Sequence, residues 1–179
     1  MERLLKVLTD EPSYGKPENV NLGQFIDDFK KEHIQSGYTL NVLRTYDMEN
    51  RPIDKYIISI ARQDLNQVLE NIMTNAKKHA FKNLDDPANR VILEMSEDLL
   101  NGQPAVVLWV KNNGALLPQG MSAEKVFTWS ESSSDGDGIG GWQIRQIIEH
   151  FRGEVTIVES QSDKDNFTLA YKIILPLIN

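Results

Sequence analysis

The succession of periodicities in this sequence predicts an α+β fold, a two-layer sandwich with helices packed on one face of a mixed, mostly antiparallel sheet. Two kinds of observation carry that reading. Helix-period apolar patterns run from Leu22 to about His33, from Asp64 to Phe81 and from about Gly141 to Phe151. Strand-like runs lie between and after them. The Asn101-Gly102 pair separates two such runs, Val91–Met95 and Ala105–Val110, and is a strong hairpin signal, so those strands are antiparallel neighbours. At 179 residues the chain is long enough for one domain with a substantial core.

Taken in order, Met1 to Leu8 places Leu4, Leu5 and Leu8 on one helical face, and Asp10 to Pro17 carries turn formers. Residues 1–18 therefore read as the remnant of a preceding helix plus a linker, ahead of one domain over 19–179. In the first full helix Phe25, Ile26 and Phe29 face inward. Strands at Thr39–Arg44 and Tyr56–Ile60 follow, separated by the turn-rich Met48–Asp54 segment. The stretch from Gly114 to Gly141 is rich in Gly, Ser and Asp, with a short helix expected near Ala123–Phe127. The final helix sets Ile144, Ile147, Ile148 and Phe151 at core spacing, and strands at Glu154–Glu159 and Thr168–Leu175 close the chain.

Composition excludes several classes of function. There is no cysteine, so disulfides, thiolate chemistry and Cys-based zinc sites are absent. The histidines (His33, His79, His150) sit in separate segments, which argues against a histidine-rich metal site. A net charge of −7 argues against nucleic acid or an anionic membrane as the main partner. No apolar run reaches bilayer length, and the first residues do not resemble a signal peptide. A soluble, cytoplasmic domain is the expectation. An acidic protein that binds a phosphate compound must supply positive field locally, from backbone donors, a helix N-terminus or a metal ion.

The Asp64–Phe81 helix carries an unusual polar stripe. Leu65, Val68, Leu69, Ile72, Met73, Ala76 and Ala80 share one side, and Gln67, Asn71, Asn75 and Lys78 share the other. A solvated face is the ordinary explanation. Asparagine is nevertheless a poor helix-interior residue, because its amide competes for backbone hydrogen bonds. Its amide oxygen is a hard, neutral ligand suited to Mg²⁺, which keeps several waters and takes few protein ligands. Alone, the stripe leaves both readings open.

A second feature is Gly136-Asp-Gly138-Ile139-Gly140-Gly141, which leads into the last helix. Glycines there let backbone amides approach an anion, and the helix N-terminus adds roughly half a positive charge. A flexible loop is the plain alternative. No Gly-Lys-Ser/Thr follows, so this is not a Walker loop, and no strand enters it directly as a dinucleotide fold requires.

In order, these pieces resemble the ATP-binding domain of sensor histidine kinases, part of the GHKL superfamily with its Bergerat fold. Gln67-Val-Leu-Glu-Asn71-Ile-Met-Thr-Asn75-Ala-Lys-Lys78-His79 resembles the N box. Val110-Lys-Asn112-Asn-Gly114-Ala-Leu116-Leu-Pro118 resembles the first glycine box. Val126-Phe127 stands where the phenylalanine box would be. Gly136 to Gly140, with Gln143-Ile-Arg145-Gln-Ile-Ile and Phe151-Arg-Gly153, resembles the second glycine box and its helix. The resemblance covers about Leu22 to Leu177. Its specificity lies in the order of the four motifs.

The resemblance implies ATP and Mg²⁺ as ligands. Asn75 would coordinate the metal, with Asn71 assisting, and Lys78 would reach a phosphate. His79 would lie near the ribose or phosphates, and Asn112 would read the adenine amino group. Gly138, Gly140 and Gly141 would cradle the phosphates, with Gly114, Leu116, Phe127, Gly136 and Ile139 completing the nucleotide's surroundings. Thr128 to Asp137 would be a lid. Two departures stand out. The family's usual adenine reader is aspartate, where this chain has Asn112, and Leu116 replaces the second glycine of its box.

Hydrolysing members of the superfamily carry a glutamate one turn before the metal asparagine, as general base for water. Here that position is Asn71, and Glu70 is rotated about 100° away on the helix. The resemblance thus implies a histidine kinase, transferring phosphoryl to a protein histidine by positioning and charge neutralisation. None of His33, His79 and His150 precedes an acidic residue, as a phosphoacceptor normally would. The expected partner is therefore the dimerisation and histidine-phosphotransfer domain of a parent kinase, with a response regulator indirectly downstream. No nucleic acid and no direct membrane contact are expected. The alternatives are a non-catalytic nucleotide-binding module and an ATPase that uses water as acceptor.

Overall fold

The computed structural model describes residues 13–33, 37–44, 56–128, 139–162 and 165–178. The helical face expected over Met1–Leu8, the Met48–Asp54 turn, and Gly136 and Gly138 lie outside the described residues. The strands are β1 (Glu18–Asn21), β2 (Thr39–Leu43), β3 (Ile57–Ile60), β4 (Arg90–Leu100), β5 (Gln103–Asn112), β6 (Glu154–Glu159) and β7 (Leu169–Pro176). The α-helices are α1 (Leu22–Glu32), α2 (Arg62–Asn75), α3 (Ala123–Val126) and α4 (Ile139–His150).

The main sheet has the order β2-β4-β5-β7-β6. Only the β2–β4 pair is parallel; β4–β5, β5–β7 and β6–β7 are antiparallel. The β4–β5 hairpin is longer than the apolar runs alone indicate, because polar residues such as Glu97 and Asp98 stay in register with Val106 and Ala105. Its turn has Asn101 at φ 52° and Gly102 at φ 79°, the left-handed pair that matches the twist of a two-residue hairpin. β1 and β3 form a separate antiparallel pair. β1 was not legible in the sequence, since Glu-Asn-Val-Asn is too short to show alternation. Its last residue, Asn21, caps α1 by accepting from Gln24 N at 3.1 Å.

The helices lie on one face. Phe25, Ile26 and Phe29 of α1, Leu65, Val68, Leu69 and Ile72 of α2, and Ile144, Ile147 and Ile148 of α4 join one buried cluster. From the sheet they meet Leu93, Met95, Val106, Leu108, Val110, Tyr171, Ile173 and Leu175. The opposite face carries Glu94, Trp109, Lys111 and Lys172. Lys111 and Lys172 lie 5.5 and 5.6 Å from the Trp109 ring, so their aliphatic stems shield apolar neighbours there.

The long polar-striped helix departs from expectation at its end. It is α-helical only to Asn75; Ala76–Ala80 form a π-helical turn, closed by Phe81 N donating to Ala76 O at 3.0 Å. Such single π turns are frequent at functional sites. Near the N-terminus, Tyr14 stacks on His150 with ring centroids 3.8 Å apart, and Gly15 N donates to the buried Asp64 carboxylate at 2.8 Å. These contacts strap the incoming segment across α2 and α4. No helix among the described residues is long and apolar enough to cross a membrane.

Candidate nucleotide-binding site

A cavity of about 310 Å³ opens between the end of α2, its π turn, the segment after β5, α3, the start of α4 and β7. Ala76, Ala80, Leu116, Leu117, Pro118, Met121 and Leu169 give it apolar walls. Asn75, His79, Asn112, Lys125, Thr128 and Tyr171 supply polar groups. Apolar walls with a few fixed polar atoms are the composition of a small-molecule site.

At one end stand the two helix asparagines. Asn75 Nδ2 donates to Tyr171 Oη at 3.1 Å, and Asn71 Nδ2 donates to Gln143 Oε1 at 3.3 Å. With both amide nitrogens engaged, the oxygens are the ends presented to the start of α4. A methyl group at Gly140 would sit 3.8 Å from Asn75 Oδ1 and 3.9 Å from Asn71 Oδ1. Two hard neutral oxygens thus face one point beside a helix N-terminus whose first turn carries no acidic residue. That donor set fits Mg²⁺, with a polyphosphate supplying further oxygens, and the helix end favours the anion. Burial pushes the Tyr171 phenol above its ordinary pKa of 10.0, opposed by the Asn75 hydrogen bond, so it stays a neutral hydroxyl.

Asn112, at the end of β5, is only 5% exposed. Its Oδ1 accepts from Gly114 N at 3.0 Å, which turns the amide back on its own chain. Its carbonyl accepts from Thr168 N at 2.8 Å, and Thr168 Oγ1 donates to Gly114 O at 2.6 Å. Gly114 is needed by close packing: a Cβ there would lie 2.6 Å from Ala80 Cβ and Ala80 O. The next residue continues the contact, Ala115 N donating to Ala80 O at 2.8 Å. The chain after β5 is therefore docked on the π turn, which brings Leu116 to the cavity beside His79 and Asn112.

The glycine-rich segment enters helix earlier than its composition suggests. α4 begins at Ile139, so Gly140 and Gly141 belong to its first turn. Gly141 packs against α3, where a Cβ would fall 1.9 Å from Val126 O. Phe127 is buried beneath the cavity, edge-on to Tyr171 at 6.1 Å. Arg145 of α4 lies 4.7 Å from the Phe127 ring and forms a two-pronged ion pair with Glu124 of α3. The guanidinium holds the Glu124 carboxyl below its ordinary 4.5.

A family model of histidine kinase-, DNA gyrase B- and HSP90-like ATPases matches residues 60–177. The chain belongs to that family. Its sheet and helices have the Bergerat arrangement of histidine kinase catalytic domains. The structure is similar to that of a mycobacterial sensor histidine kinase, MprB, with 19% identity and a TM-score of 0.66 over 90% of this chain and 97% of that one. It is similar to the catalytic domain of histidine kinase ThkA, with 20% identity and a TM-score of 0.62 over 91% of this chain and 97% of that one. Full-length ShkA in complex with AMPPNP matches at 16% identity and a TM-score of 0.64, over 96% of this chain and 33% of that one. No curated protein matches the chain in sequence.

Within this ATPase-family fold, Asn75, His79, Asn112, Leu116 and Gly141 meet at one cavity, with Asn71 and Gly140 at its end. Lys78 is exposed and stands outside the cavity lining, because the π turn re-aims the residues after Asn75. Gly114 and Phe127 lie behind the wall. Sequence reasoning missed Tyr171 and Thr168, whose roles depend on β7 and its approach lying beside β5. Gln143 was visible only as a motif residue. The polar choice at a position otherwise suited to a core residue was the one available signal for Tyr171.

Proposed function

We propose that this domain is the ATP-binding catalytic domain of a sensor histidine kinase, transferring the γ-phosphoryl group of Mg·ATP to a histidine on a dimerisation domain outside this chain. Asn75 and Asn71 hold Mg²⁺, His79 serves the phosphates and ribose, and Asn112 contacts the base; Lys78, outside the cavity lining, is left without a role in this reading. Gly140 and Gly141, in the first turn of α4, face the phosphates. The metal, when bound, neutralises charge on the phosphates; the protein's own contribution is orientation and exclusion of water.

The observation that carries this reading is that Asn71, not a carboxylate, stands one turn before Asn75 beside the start of α4. Asn71 offers an amide that takes up no proton, and it is held by Gln143. The adjacent Glu70 carboxylate lies 3.0 Å from His33 Nε2, against α1 rather than the cavity. Among the described residues, neither position offers a carboxylate to activate water beside Asn75. His33 is occupied by Glu70 and by the Phe29 carbonyl at 2.7 Å, and His150 is stacked on Tyr14, which favours an acceptor histidine elsewhere.

The test supplies γ-labelled ATP and Mg²⁺ to the chain, alone and with the dimerisation domain of its parent kinase. Label is expected on a histidine of the added domain, with phosphate release by the chain alone at background. Sustained phosphate release abolished by Asn75→Ala would make the protein an ATPase. Equal, negligible nucleotide binding by wild type and Asn75→Ala would leave only a non-catalytic module.

A further inference from the structure

We infer that Leu116 sets the largest base the nucleotide site accepts, by closing off a second cavity that a purine substituted on its 6-amino group would enter. The inference rests on the nucleotide-binding reading above and concerns which ATP analogues that site takes.

A second cavity, of about 580 Å³, lies across the chain that carries Asn112, lined by Arg90, Asn113, Phe167 and Thr168 among others. Consecutive residues fall on opposite sides of this boundary. Asn112 and Leu169 line the first cavity, and Asn113 and Thr168 line the second. Among the described residues, Leu116 is the one that lines both. The partition is thus the end of β5 bonded to Thr168, completed by a single leucine side chain. Its backbone part is fixed. Thr168 N donates to Asn112 O at 2.8 Å, and Thr168 Oγ1 donates to Gly114 O at 2.6 Å. Asn113 is spent on the same wall, its Oδ1 accepting from Arg90 N at 2.7 Å and its Nδ2 donating to Ala88 O at 2.8 Å.

Leu116 is held at the boundary by its neighbours. Ala115 N donates to Ala80 O at 2.8 Å, and Leu117 N donates to Glu159 Oε1 at 2.8 Å. These anchors lie on different elements, the π turn and β6, so the backbone at Leu116 moves only if one of them breaks. The side chain is nevertheless 36% exposed and stands outside the buried cluster. Core packing therefore does not account for a leucine here, whereas closing one cavity off from another does.

A base whose amino group meets Asn112 ends at this partition. A benzyl group on that nitrogen leaves one N–H for the Asn112 amide oxygen, so the hydrogen bond survives. The added ring must occupy the space that Leu116 fills, and crowding a packed wall weakens binding. Without the leucine side chain the ring reaches the second cavity, where Phe167 offers an aromatic partner.

N6-benzyl-ATP is the probe. The readout is its Kd divided by that of ATP, each titrated with Mg²⁺ on the same chain. The wild-type ratio is expected to exceed about five, the scale of an overpacked contact. In Leu116→Gly the ratio is expected to fall at least about threefold, and in Leu116→Ala at least about twofold. Each chain supplies its own ATP reference, so a general loss of affinity cancels. A smaller wild-type ratio, or smaller falls in the variants, would overturn the inference and leave the ATP-binding reading intact. Binding of neither nucleotide by the wild type would overturn both. The alanine chain carries the same comparison where the glycine chain does not fold.

Discussion

Tyr171 accepts a hydrogen bond from Asn75 Nδ2 at 3.1 Å, joining the last strand to the end of the asparagine helix across 96 residues. The bond decides which end of the Asn75 amide faces the start of α4. Tyr171→Phe keeps the buried ring against Phe127 and removes only this restraint. Mg²⁺-dependent ATP affinity is expected to fall about three- to tenfold, the equivalent of one neutral hydrogen bond. The melting temperature should move by no more than a few degrees, since the ring's burial is unchanged. Titration calorimetry with and without Mg²⁺, beside a thermal melt, reads both.

Much of this arrangement was legible from residues alone, and the reasons are local. Periodicity places Leu65, Val68 and Leu69 inward and so turns Asn71 and Asn75 the other way. The Asn101-Gly102 turn dictates the hairpin that ends at Asn112. The remainder depends on contacts that no local pattern encodes. The π turn after Asn75 lets Ala80 receive the chain at Gly114 and Ala115, and helical propensity does not distinguish it from a further α turn. Gly114 and Gly141 read in the sequence as residues of the nucleotide's surroundings, yet each is required by backbone packed against it, Ala80 in one case and Val126 in the other.

Asn71→Ala separates folding from ligand binding. Alanine is the better helix former by about half a kcal/mol, and Gln143, the partner of Asn71, is half-buried and able to reach water. Stability should be unchanged or slightly raised, while Mg²⁺-dependent ATP affinity falls. A variant that binds Mg·ATP as well as the wild type would place Asn71 on a merely solvated face.

Acid should loosen the α3–α4 contact before it unfolds the core. Glu124 is held below its ordinary 4.5 chiefly by its hydrogen bond to Arg145, so its contribution is present above that value and is lost as pH falls through the lowered one. Asp28, held down by Lys31 and Gln24, and Asp98, held down by the Leu99 amide, follow the same sign against 3.8. Melting temperature recorded from neutral pH downward should be nearly flat until about pH 4.5 and then decline. Glu124→Gln should make that decline shallower. A decline of equal slope in the variant would remove the ion pair from the account.

Two adjacent glycines should respond in opposite ways to the same substitution. At Gly141 a methyl group would meet Val126 O at 1.9 Å, which is backbone and yields only if α3 and α4 separate. Gly141→Ala should cost about 1–3 kcal/mol or more, as overpacked sites do. That corresponds to a melting temperature lower by about 3–10 °C at this chain length. At Gly140 the nearest atoms are Asn75 Oδ1 at 3.8 Å and the Asn71 amide at 3.9 Å, an ordinary contact distance. Gly140→Ala should therefore fold as well as the wild type, or better by up to about 1 kcal/mol from helix propensity. Its methyl would nevertheless project toward the two amide oxygens assigned to the metal and phosphates. Mg·ATP affinity should drop in a protein whose melting temperature has not fallen. Full affinity in Gly140→Ala would move the phosphate end of the ligand away from the start of α4.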